Sequence, residues 1–551
     1  MDNYRLILVF TLVFLGLLLW QAWQRDYGPQ SQPATTEIAQ QEARVPGQVP
    51  PDEALPTVRG TTDLDASLPQ PPEAERVAAQ RIRIETDLHR MEIDTRGGTV
   101  ASLYLNDYPV RVTEPDNKFR LMSPTRPNLF IAQSGLLSAA AAPTHETIYH
   151  APQSEYRMEP GQEQLSVEMV WEEEGVRVTK RFLFTRGEYL IQVQHTVENL
   201  GDQPWAGREY RQLIRTDLDS SMQSAFIYTY TGGVYYSAEE KYTKYSFRDM
   251  RDRDLERDVQ GGWIAMIQHY FLGAWVPPEG QTNRFYSKIL SDERYLIGAY
   301  TPLVELEPGA SHTFESGFLA GPKLQEYLKQ VAPGLHLAVD YGMLTILAQP
   351  IFWLLSWIYG LVGNWGWSII LLTILIKAAF YKLSETSYKS MAGLRKLAPR
   401  IQALKDRYGD DKQRMNQAMM EIYKTEKINP LGGCLPILVQ IPVFIALYWV
   451  LLESVEMRQA PFILWIQDLS IRDPYFILPL IMGVSMYVQQ KLNPAPPDPM
   501  QAKILMALPF VFTFFFAFFP AGLVLYWVVN NLLSIAQQWY ITRKVEAGEK
   551  V

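Results

Sequence analysis

The chain has 551 residues, a net charge of −8 and a single cysteine, Cys434. The negative charge argues against a general affinity for nucleic acid, and one cysteine excludes a disulfide bond within the chain. The mean hydropathy of −0.10 averages two unlike halves, because residues 28–340 are polar whereas residues 342–541 are rich in Leu, Ile, Phe, Trp and Pro. The second half therefore has the length and apolar character of a domain that crosses a membrane several times.

An apolar run, Leu6–Trp23, follows Arg5 at the start of the chain. It is longer than the core of a usual signal peptide, and no small-x-small cleavage site follows Trp20. We therefore predict that residues 1–27 form an uncleaved signal-anchor helix with its N-terminus in the cytoplasm, and a cleaved signal peptide is the alternative. Residues 28–78 are rich in Pro, Gln, Thr and acidic residues, which predicts a disordered linker.

Residues 79–321 consist of short alternating segments separated by Gly, Pro, Asn and Asp. Many short strands between turn signals predict a β-sandwich. The clearest segments are Arg81–Glu85, Gln164–Trp171, Val176–Phe184, Tyr189–Glu198 and Tyr295–Ala299. The aromatic cluster Phe226–Tyr236 is typical either of a ligand cleft or of ordinary sandwich core and surface, and we expect the latter. The following histidines have no metal-ligand spacing and are expected to be scattered surface or core residues: His89, His145, His150, His195, His269 and His312.

Residues 322–363 follow the sandwich, and their first part, Pro322–Ala338, is expected to be helical. The next run, 342–360, is apolar but contains Gln349-Pro350, so it is either a membrane span or an amphipathic helix lying flat on the membrane. The number of other spans decides between these alternatives. The clear spans are Leu6–Trp23, Trp365–Tyr381, Leu431–Leu452, Tyr475–Val488, Ile504–Phe519 and Leu523–Ile541.

Six spans that start from a cytoplasmic N-terminus place the loop Lys382–Lys427 in the cytoplasm. This loop has eleven Lys and Arg against six Asp and Glu, whereas the outer loop Glu453–Asp473 has two basic residues. A seventh span at 342–360 would put the basic loop outside, against the positive-inside rule. We therefore predict that 342–360 is an interfacial helix at the outer surface. The five-span core then occupies 364–541, and 542–551 is a cytoplasmic tail.

The cytoplasmic loop, 382–428, is expected to be a helical hairpin. Gly409-Asp410-Asp411 divides it into Ser384–Tyr408 and Lys412–Lys427, and Asn429-Pro430 ends it. Narrow apolar stripes along both helices either pack on each other or capture substrate directly, and methionine suits both uses because it is adaptable. The methionines of these stripes include Met391, Met415 and Met419.

Lys377 interrupts the apolar span Trp365–Tyr381. A charge at the centre of a bilayer costs about 2.5–3.5 kcal/mol on insertion scales. A charged residue retained there is therefore expected to be hydrated, to be paired with another group, or to have a function. Thr373 and Tyr381 lie four residues before and after the lysine, on the same face of a continuous helix. No acidic residue occurs in the core spans to pair with it. One interpretation is a hydrated cavity, and the other is a side chain that snorkels to the cytoplasmic interface.

Polar residues recur in other core spans, namely Gln440 in the third, Ser485 and Gln489 in the fourth, and Trp527, Asn531, Ser534 and Gln538 in the last. They either face a water-filled interior or bond each other across helices as packing contacts worth about 0.6 kcal/mol each. The fifth span is apolar and rich in Phe. Its sixteen residues, Ile504–Phe519, extend about 24 Å as a helix, which is less than the hydrocarbon core of about 30 Å and predicts local thinning of the bilayer.

Several longer motifs occur in the second half. The most specific is Asn429-Pro430-Leu431-Gly432-Gly433-Cys434-Leu435-Pro436, which continues with Gln440-Ile441-Pro442-Val443-Phe444. The others are Gln459-Ala460-Pro461-Phe462, Asp473-Pro474-Tyr475, Asp498-Pro499-Met500 and Pro520-Ala521-Gly522-Leu523-Val524-Leu525-Tyr526-Trp527. Together with the long domain between the first two spans, these motifs resemble the YidC/Oxa/Alb family of membrane protein insertases in its Gram-negative form. The resemblance covers essentially the whole chain.

The resemblance implies a polytopic α-helical protein of the inner membrane, with six transmembrane helices, cytoplasmic termini and a large periplasmic β-super-sandwich similar to sugar-mutarotase folds. It also implies a hydrophilic groove that is open to cytoplasm and lipid, in which Lys377 stands where the family usually has arginine. A lysine cannot form the bidentate fork of arginine, although its charge and its attraction for water remain. Trp527, beside Tyr526, matches a substrate-contacting aromatic position, and Thr373 matches a groove hydroxyl.

The function implied is the insertion and folding of inner-membrane proteins, alone or with the Sec translocon. We expect no catalytic residue, cofactor or metal. The implied partners are nascent membrane proteins, the Sec translocon, ribosomes, which would meet the hairpin methionines, and membrane lipids, with no sequence-specific nucleic acid. The groove for a polar tail would comprise Lys377, Thr373, Tyr381, Gln440, Gln489, Tyr526, Trp527 and Asn531. The apolar helix of the substrate would slide along Phe444, Phe512 and Phe516.

Two other functions fit parts of the sequence. A secondary transporter would use Lys377 to bind a small anion, but transporters usually contain paired broken helices in two repeated halves, and no such repeat is visible. A membrane-anchored periplasmic protein that binds carbohydrate would account for the β-sandwich. A carbohydrate-binding function would not explain the five further spans or the basic cytoplasmic hairpin.

Overall fold

The computed structural model of the protein describes residues 79–217, 229–408, 411–426, 435–493 and 499–547. The signal anchor predicted at 1–27 and the linker predicted at 28–78 lie outside these ranges, as do Cys434 and part of the Phe226–Tyr236 cluster. Within the described ranges the chain forms a mostly β domain up to Pro322, followed by helices.

The β domain contains one short helix, α1 (Phe247–Asp252), which Ser246 caps through its side chain. Its strands are β1 Arg81–Glu85, β2 His89–Asp94, β3 Thr99–Arg111, β4 Glu114–Met122, β5 Phe130–Ser138, β6 Glu155–Arg157, β7 Gln164–Glu173, β8 Val176–Thr185, β9 Leu190–Asn199, β10 Trp205–Thr216, β11 Gly232–Ser237, β12 Lys241–Tyr245, β13 Glu256–Gln260, β14 Trp263–Ile267, β15 Phe271–Val276, β16 Thr282–Leu290, β17 Arg294–Tyr300, β18 Val304–Leu306 and β19 Ser311–Pro322.

Two sheets form a β-sandwich. One has the strand order β13-β16-β17-β10-β5-β3-β2-β1-β6, with β18 beside β10 and β4 beside β3, and the other has the order β12-β11-β14-β15-β19-β9-β8-β7. Their inner faces bury large side chains such as Phe182, Trp205, Trp263 and Trp275. The predicted sandwich is confirmed, and the five predicted segments match β1, β7, β8, β9 and β17 to within two residues at each end.

A buried cluster of charged and polar groups, which the sequence analysis did not predict, joins the two sheets. The ammonium of Lys180, on β8, donates to the carbonyl of Gly97 at 2.7 Å and to the hydroxyl of Ser134 at 2.9 Å. His195 Nδ1, on β9, lies 3.0 Å from Glu209 Oε1 on β10. Burial lowers the pKa of Lys180 to about 7. Alternation of apolar and polar residues assigns a lysine to the solvent face, so it gives no signal for such a cluster.

The histidines are divided between core and surface. His89, His145 and His195 are buried, His269 is half-buried, and each of the four has a hydrogen-bond partner. His150 is exposed. Among the described residues, no group of three or more His, Cys, Asp or Glu side chains is arranged to hold a metal ion.

The second half contains nine described helices. They are α2 Gln325–Val331, α3 Thr345–Val362, α4 Trp365–Ala379, α5 Tyr381–Tyr408, α6 Lys412–Thr425, α7 Leu435–Glu453, α8 Ile477–Leu492, α9 Pro499–Phe516 and α10 Ala521–Glu546. Short 3-10 turns lie at Ser291–Glu293 in the β domain, and at Leu335–Ala338, Gly342–Leu344 and Val455–Met457. The helix predicted over Pro322–Ala338 is therefore shorter, since Pro333 has no amide proton and Gly334 adopts a φ of +70°.

One described helix, α3, has the length and apolar composition of a membrane span by itself. α4 and the first part of α5 meet this criterion together, although the chain bends by 67° between them, and Val439–Glu453 and Ala502–Phe516 are shorter apolar helices. α3 packs on α4 and α7 through a face that includes Phe352 and Leu355. Its other face exposes Trp353 and Trp357. The interfacial position of this helix stays a prediction.

The bend corrects one prediction about Lys377. Because α4 ends at Ala379 and α5 begins at Tyr381, the lysine and Tyr381 lie on different helices, and the expected face shared by Thr373, Lys377 and Tyr381 does not exist. The residue pattern gave no Pro or Gly to mark the break, so the continuous apolar run concealed it.

Motif residues fix the outer end of α4. Asn364 caps this helix by accepting from the amide of Trp367, and its own amide donates to the carbonyls of Pro461 and Phe462 at 3.3 and 3.2 Å. A Cβ atom on Gly366 would lie 2.0 Å from the ring of Phe462. The absence of a side chain at this position therefore lets the outer loop close over the helix.

The same loop holds the beginnings of α8 and α10. The buried carboxylate of Asp473 accepts from the amide of Leu478 at 2.7 Å, which satisfies a free amide in the first turn of α8. The amide of Ala521, at the start of α10, donates to the carbonyl of Ile471 at 2.7 Å. The tight connection between α9 and α10 is thus anchored to the outer loop rather than free.

A buried polar interface joins the β domain to the end of α7. The ammonium of Lys323 lies 3.4 Å from a carboxylate oxygen of Glu453, and both side chains are almost fully buried. His269 Nε2 donates to the carbonyl of Leu452 at 2.8 Å. Because these pairs are removed from water, they hold the domain to the helices in one orientation.

Arg458 forms a second part of this interface. One of its guanidinium nitrogens donates to the carbonyl of Pro109 at 2.6 Å. The guanidinium lies 5.9 Å from the ring centres of Tyr108 and Phe119 and 5.5 Å from that of Phe271. These cation–π contacts seat the outer loop on β3, β4 and β15.

Glu456, whose carboxylate accepts from the amide of Gln325 at 3.3 Å, gives this interface a pH dependence. Burial raises the pKa of its carboxyl to about 7 from an ordinary value of 4.5. The folded state therefore retains a proton that the unfolded chain releases between these values, and stability falls as the pH rises through this window. We predict that Glu456→Gln leaves the apparent melting temperature of the full chain in detergent unchanged near pH 5. Near pH 8 the substitution should raise the melting temperature, because it removes a destabilisation of up to about 3 kcal/mol in the free energy of unfolding.

The exposed Glu305 on β18 provides the control, because Glu305→Gln removes a carboxylate outside the interface. Its melting temperature should follow that of the unchanged protein at both pH values. Equal effects of Glu456→Gln near pH 5 and near pH 8 would contradict this account of the interface.

Candidate functional site

A cavity of about 320 Å³ lies among α4, α5, α7, α8, α9 and α10. Its lining is mixed, since amide and hydroxyl side chains from four helices face apolar side chains from α7 and α9. Eight residues that the sequence analysis selected line it, namely Lys377, Met391, Gln440, Phe444, Gln489, Tyr526, Trp527 and Asn531. Residues from distant parts of the chain are thus brought to one site.

Lys377 is half-buried and points into this cavity. Its ammonium donates to Ser534 Oγ at 2.7 Å, and the Ser534 hydroxyl donates to the carbonyl of Asn530 one turn earlier at 2.7 Å. Within the described ranges no carboxylate forms an ion pair with this lysine. The contact with α10 favours the cavity interpretation over a lysine that snorkels to the interface.

Hydrogen bonds between helices divide the other polar residues into two groups. Asn531 is buried and donates to Ser485 Oγ at 3.1 Å, which is the packing contact that the alternative interpretation described. Gln440 is half-buried and donates to Asn530 Oδ1 at 2.7 Å. Gln489 is half-buried and lines the cavity. Asn531 and Gln440 therefore fit both interpretations, because each lines the cavity and bonds to a neighbouring helix. Gln489 fits the cavity interpretation.

Aromatic side chains form one wall of the cavity. The ring of Trp527 lies 4.5 Å from that of Phe444 in an edge-to-face arrangement and 5.0 Å from that of Phe516. Tyr526 is almost fully buried. Trp527 is half-buried and lies between the cavity and the apolar core, so it presents an apolar surface beside the polar groups.

The proposed apolar face for a substrate helix is placed differently from the prediction. Phe516 is 5% exposed and packs inside the bundle, and Phe512 packs against it with ring centres 6.2 Å apart. Helical periodicity alone does not show which side of an all-apolar helix faces inward. The exposed large side chains of α9 include Phe510, Val511 and Phe514.

Three further selected groups lie outside the cavity lining. Thr373 is 1% exposed, and its hydroxyl donates to the carbonyl of Ile369 within the same helix at 2.6 Å. Tyr381 is exposed at the start of α5. Met415 and Met419 are half-buried on α6. The structure brings none of these side chains to the cavity.

α5 contributes more to the cavity than was predicted, since Met391 was the only one of its lining residues expected to have a function. Ser384, Ser387, Tyr388 and Met391 all line the cavity from this helix. Their spacing of three, four and seven residues places them on one helix face. This spacing was readable from the sequence, but the basic residues around it assigned the helix to a solvated hairpin.

A β-sandwich joined to apolar helices that enclose a polar, cationic cavity defines a polytopic membrane protein with a large domain outside the bilayer. Residues 81–354 match the family model of the YidC periplasmic domain, and residues 357–549 match that of the 60Kd inner membrane protein. The chain belongs to the YidC family.

Relatives match along the whole chain. The membrane protein insertase YidC of Thioalkalivibrio sulfidiphilus is 55% identical, with 100% of both chains covered, and that of Methylococcus capsulatus is 51% identical, with 99% of both covered. A crystal structure of an active YidC insertase, with its first transmembrane domain resolved, is 18% identical, covers 84% of this chain and 94% of its own, and gives a TM-score of 0.39.

The cavity lining predicts which side chains meet water. In a Cys434→Ser background, Gln489→Cys should react with a membrane-impermeant maleimide at least about ten-fold faster than Phe514→Cys, because a reactive thiolate forms only in contact with water. The measurement is the labelling rate in inverted membrane vesicles. Similar rates at the two positions would show that the cavity is closed to solvent.

Proposed function

We propose that this protein is an insertase and chaperone for inner-membrane proteins, and that its cavity receives the short polar tail of a client. The observation that carries this proposal is the half-buried ammonium of Lys377, held by a hydroxyl rather than a carboxylate. Its charge is therefore not neutralised by an acidic side chain among the described residues. A polar or acidic tail segment that enters the cavity meets hydrogen-bonding groups instead of hydrocarbon.

The free energy for insertion comes from the client. About twenty apolar residues contribute about −0.3 to −0.6 kcal/mol each on entering the bilayer, against about 2.5–3.5 kcal/mol for each charge that crosses. The cavity reduces the cost of moving each charge across the bilayer, because the tail remains hydrated over part of the path. The exposed face of α9, with Phe510 and Phe514, gives the client helix an apolar surface beside the cavity.

The short apolar part of α9 reduces the thickness of hydrocarbon that the client's polar tail must cross. The apolar part of α9, Ala502–Phe516, spans about 22 Å at about 1.5 Å per residue, and the hydrocarbon core of a bilayer is about 30 Å thick. Thinning of the bilayer beside α9 would follow from this mismatch. A polar tail in the cavity then has only part of the outer leaflet to cross.

The finer parts of the proposal concern topology and partners. The basic hairpin of α5 and α6 supports a cytoplasmic position for that loop, with the termini on the same side and the β domain in the periplasm. A cytoplasmic hairpin whose first helix lines the cavity is placed to meet a nascent chain at the ribosome. We further propose that the protein acts alone or together with the Sec translocon, and that insertion requires neither catalytic residues nor a cofactor.

The charge at position 377 should be required for clients with a polar tail. We predict that Lys377→Ala lowers insertion of such a client into proteoliposomes by about ten-fold, the effect of about 1.4 kcal/mol on a barrier. Lys377→Arg should retain most activity because it keeps the charge. The measurement is protection of the translocated tail from added protease. The exposed Lys503 on α9 supplies the control, and Lys503→Ala should insert normally. Normal insertion by Lys377→Ala would remove the cation from the mechanism.

Removal of the β domain separates insertion from carbohydrate binding. We predict that deletion of residues 79–321 leaves measurable insertion of the same client, because the cavity is built from α4, α5 and α7 to α10. Loss of all activity, in a protein that still reaches the membrane in normal amount, would support a function centred on the β domain.

Uptake of labelled small anions into the same proteoliposomes tests the transporter alternative. The proposal predicts no uptake above that of empty liposomes. Uptake that depends on Lys377 would favour transport.

A further inference from the structure

We infer that the side-chain amides of Gln440 and Asn530 form a latch that holds the first part of α7, residues 435–441, against α10. When the latch opens, α7 bends at Pro442. The inference rests on the proposed function, because it names the movement that admits a client to the cavity. In the latched state, which the structure shows, Gln440 Nε2 donates to Asn530 Oδ1 at 2.7 Å.

The packing of α7 changes along its length. From residue 446 onward the helix has a buried side, which includes Leu447 and Val450. The end of this part is anchored to the β domain by the ion pair of Glu453 with Lys323. By contrast, every side chain from 439 to 445 is exposed or half-buried. Because few packing contacts hold the earlier part, it can move at a low cost in free energy.

Pro442 lies near the boundary between these two parts. Its nitrogen carries no proton, so the helix lacks one hydrogen bond of its ladder and bends more easily at this point. Phe444, just beyond the proline, packs edge to face on Trp527 with ring centres 4.5 Å apart. A bend of about 20° moves residue 435 by about 4 Å, because the seven residues before the proline extend about 10 Å as a helix.

The latch is the polar contact that closes this loosely packed part. Gln440 is the only polar residue among residues 439–445, so its bond to Asn530 is the only hydrogen bond between helices that a side chain of this segment can form. With the cavity closed, one amide donor and one amide acceptor satisfy each other. With the cavity open, both can bond to the polar tail of a client, which thereby replaces the bond that it breaks. The latch therefore favours opening when a polar segment is present.

Distances between spin labels test the latch without a client. In a Cys434→Ser background, labels on Leu435→Cys and Leu532→Cys report the separation of α7 from α10 in lipid nanodiscs. Leu532 lies about 200° around α10 from Asn530, so withdrawal of α7 lengthens this distance. Asn530→Leu removes the acceptor and should add a population about 4 Å longer, the displacement expected for the bend. An unchanged distribution would overturn the inference.

A second label pair serves as the control. Val484, on α8, and Leu532 are both exposed, and labels at these positions should keep the same distance when Asn530 is replaced. Gln440→Leu breaks the latch from the side of α7 and should lengthen the 435–532 distance as Asn530→Leu does. A change of equal size at 484–532 would show that the whole bundle rearranges, and it would contradict a hinge in α7.

A stalled nascent chain with a polar tail provides the final measurement. Its binding to the protein with an intact latch should produce the same longer population at 435–532. An unchanged distance with the client bound would overturn the role of the latch in client entry, even where insertion depends on Lys377. Normal insertion by Lys377→Ala is a separate result, because it contradicts the proposed function and leaves the effect of Asn530→Leu to decide on the latch.

Discussion

The contact between the ammonium of Lys377 and the hydroxyl of Ser534 is the interaction on which the account of this protein depends. A lysine inside an apolar helix costs free energy in lipid, and a carboxylate partner would remove that cost by cancelling the charge. Here the partner is a hydroxyl at 2.7 Å, so that the charge is oriented and still present. Amide and hydroxyl side chains surround this charge on one side of the cavity, and the aromatic wall that contains Trp527 forms another side.

The rest of the structure holds the helices that form this site. Asn364 caps α4 and donates to the carbonyls of Pro461 and Phe462 in the outer loop. In the same loop, Asp473 accepts from the first turn of α8 and the carbonyl of Ile471 accepts from the start of α10, so one loop joins the outer ends of these helices. The β domain is attached to the same loop by Lys323, His269 and Arg458. The cavity is also bordered by α5, which belongs to a hairpin rather than to this framework. The outer ends of the helices are therefore joined to one another by hydrogen bonds. In the proposed function, a nascent client arrives from the side of the hairpin.

Much of the fold was readable from the sequence, because the signals are local. Alternation and turn residues located strands such as β8 and β9 closely, and long apolar runs located the core helices. The failures have a common cause, since they depend on which neighbour a side chain meets. The break before Tyr381 has no marker residue. Phe516 faces inward although phenylalanines lie on several sides of its helix, and Thr373 satisfies its hydroxyl within its own helix. Tyr388 was missed for the opposite reason, because its neighbours are basic and appear solvated.

Photocrosslinking from the cavity to a client tests the central claim most directly. A photoreactive amino acid at position 527 should crosslink to residues of the polar tail of a stalled nascent chain, while the same group at position 510, on the exposed face of α9, should crosslink to the apolar helix of the client. The account predicts this division between tail and helix. Tail residues that crosslink at 510 but never at 527 would show that clients pass outside the cavity, and the account would then be wrong.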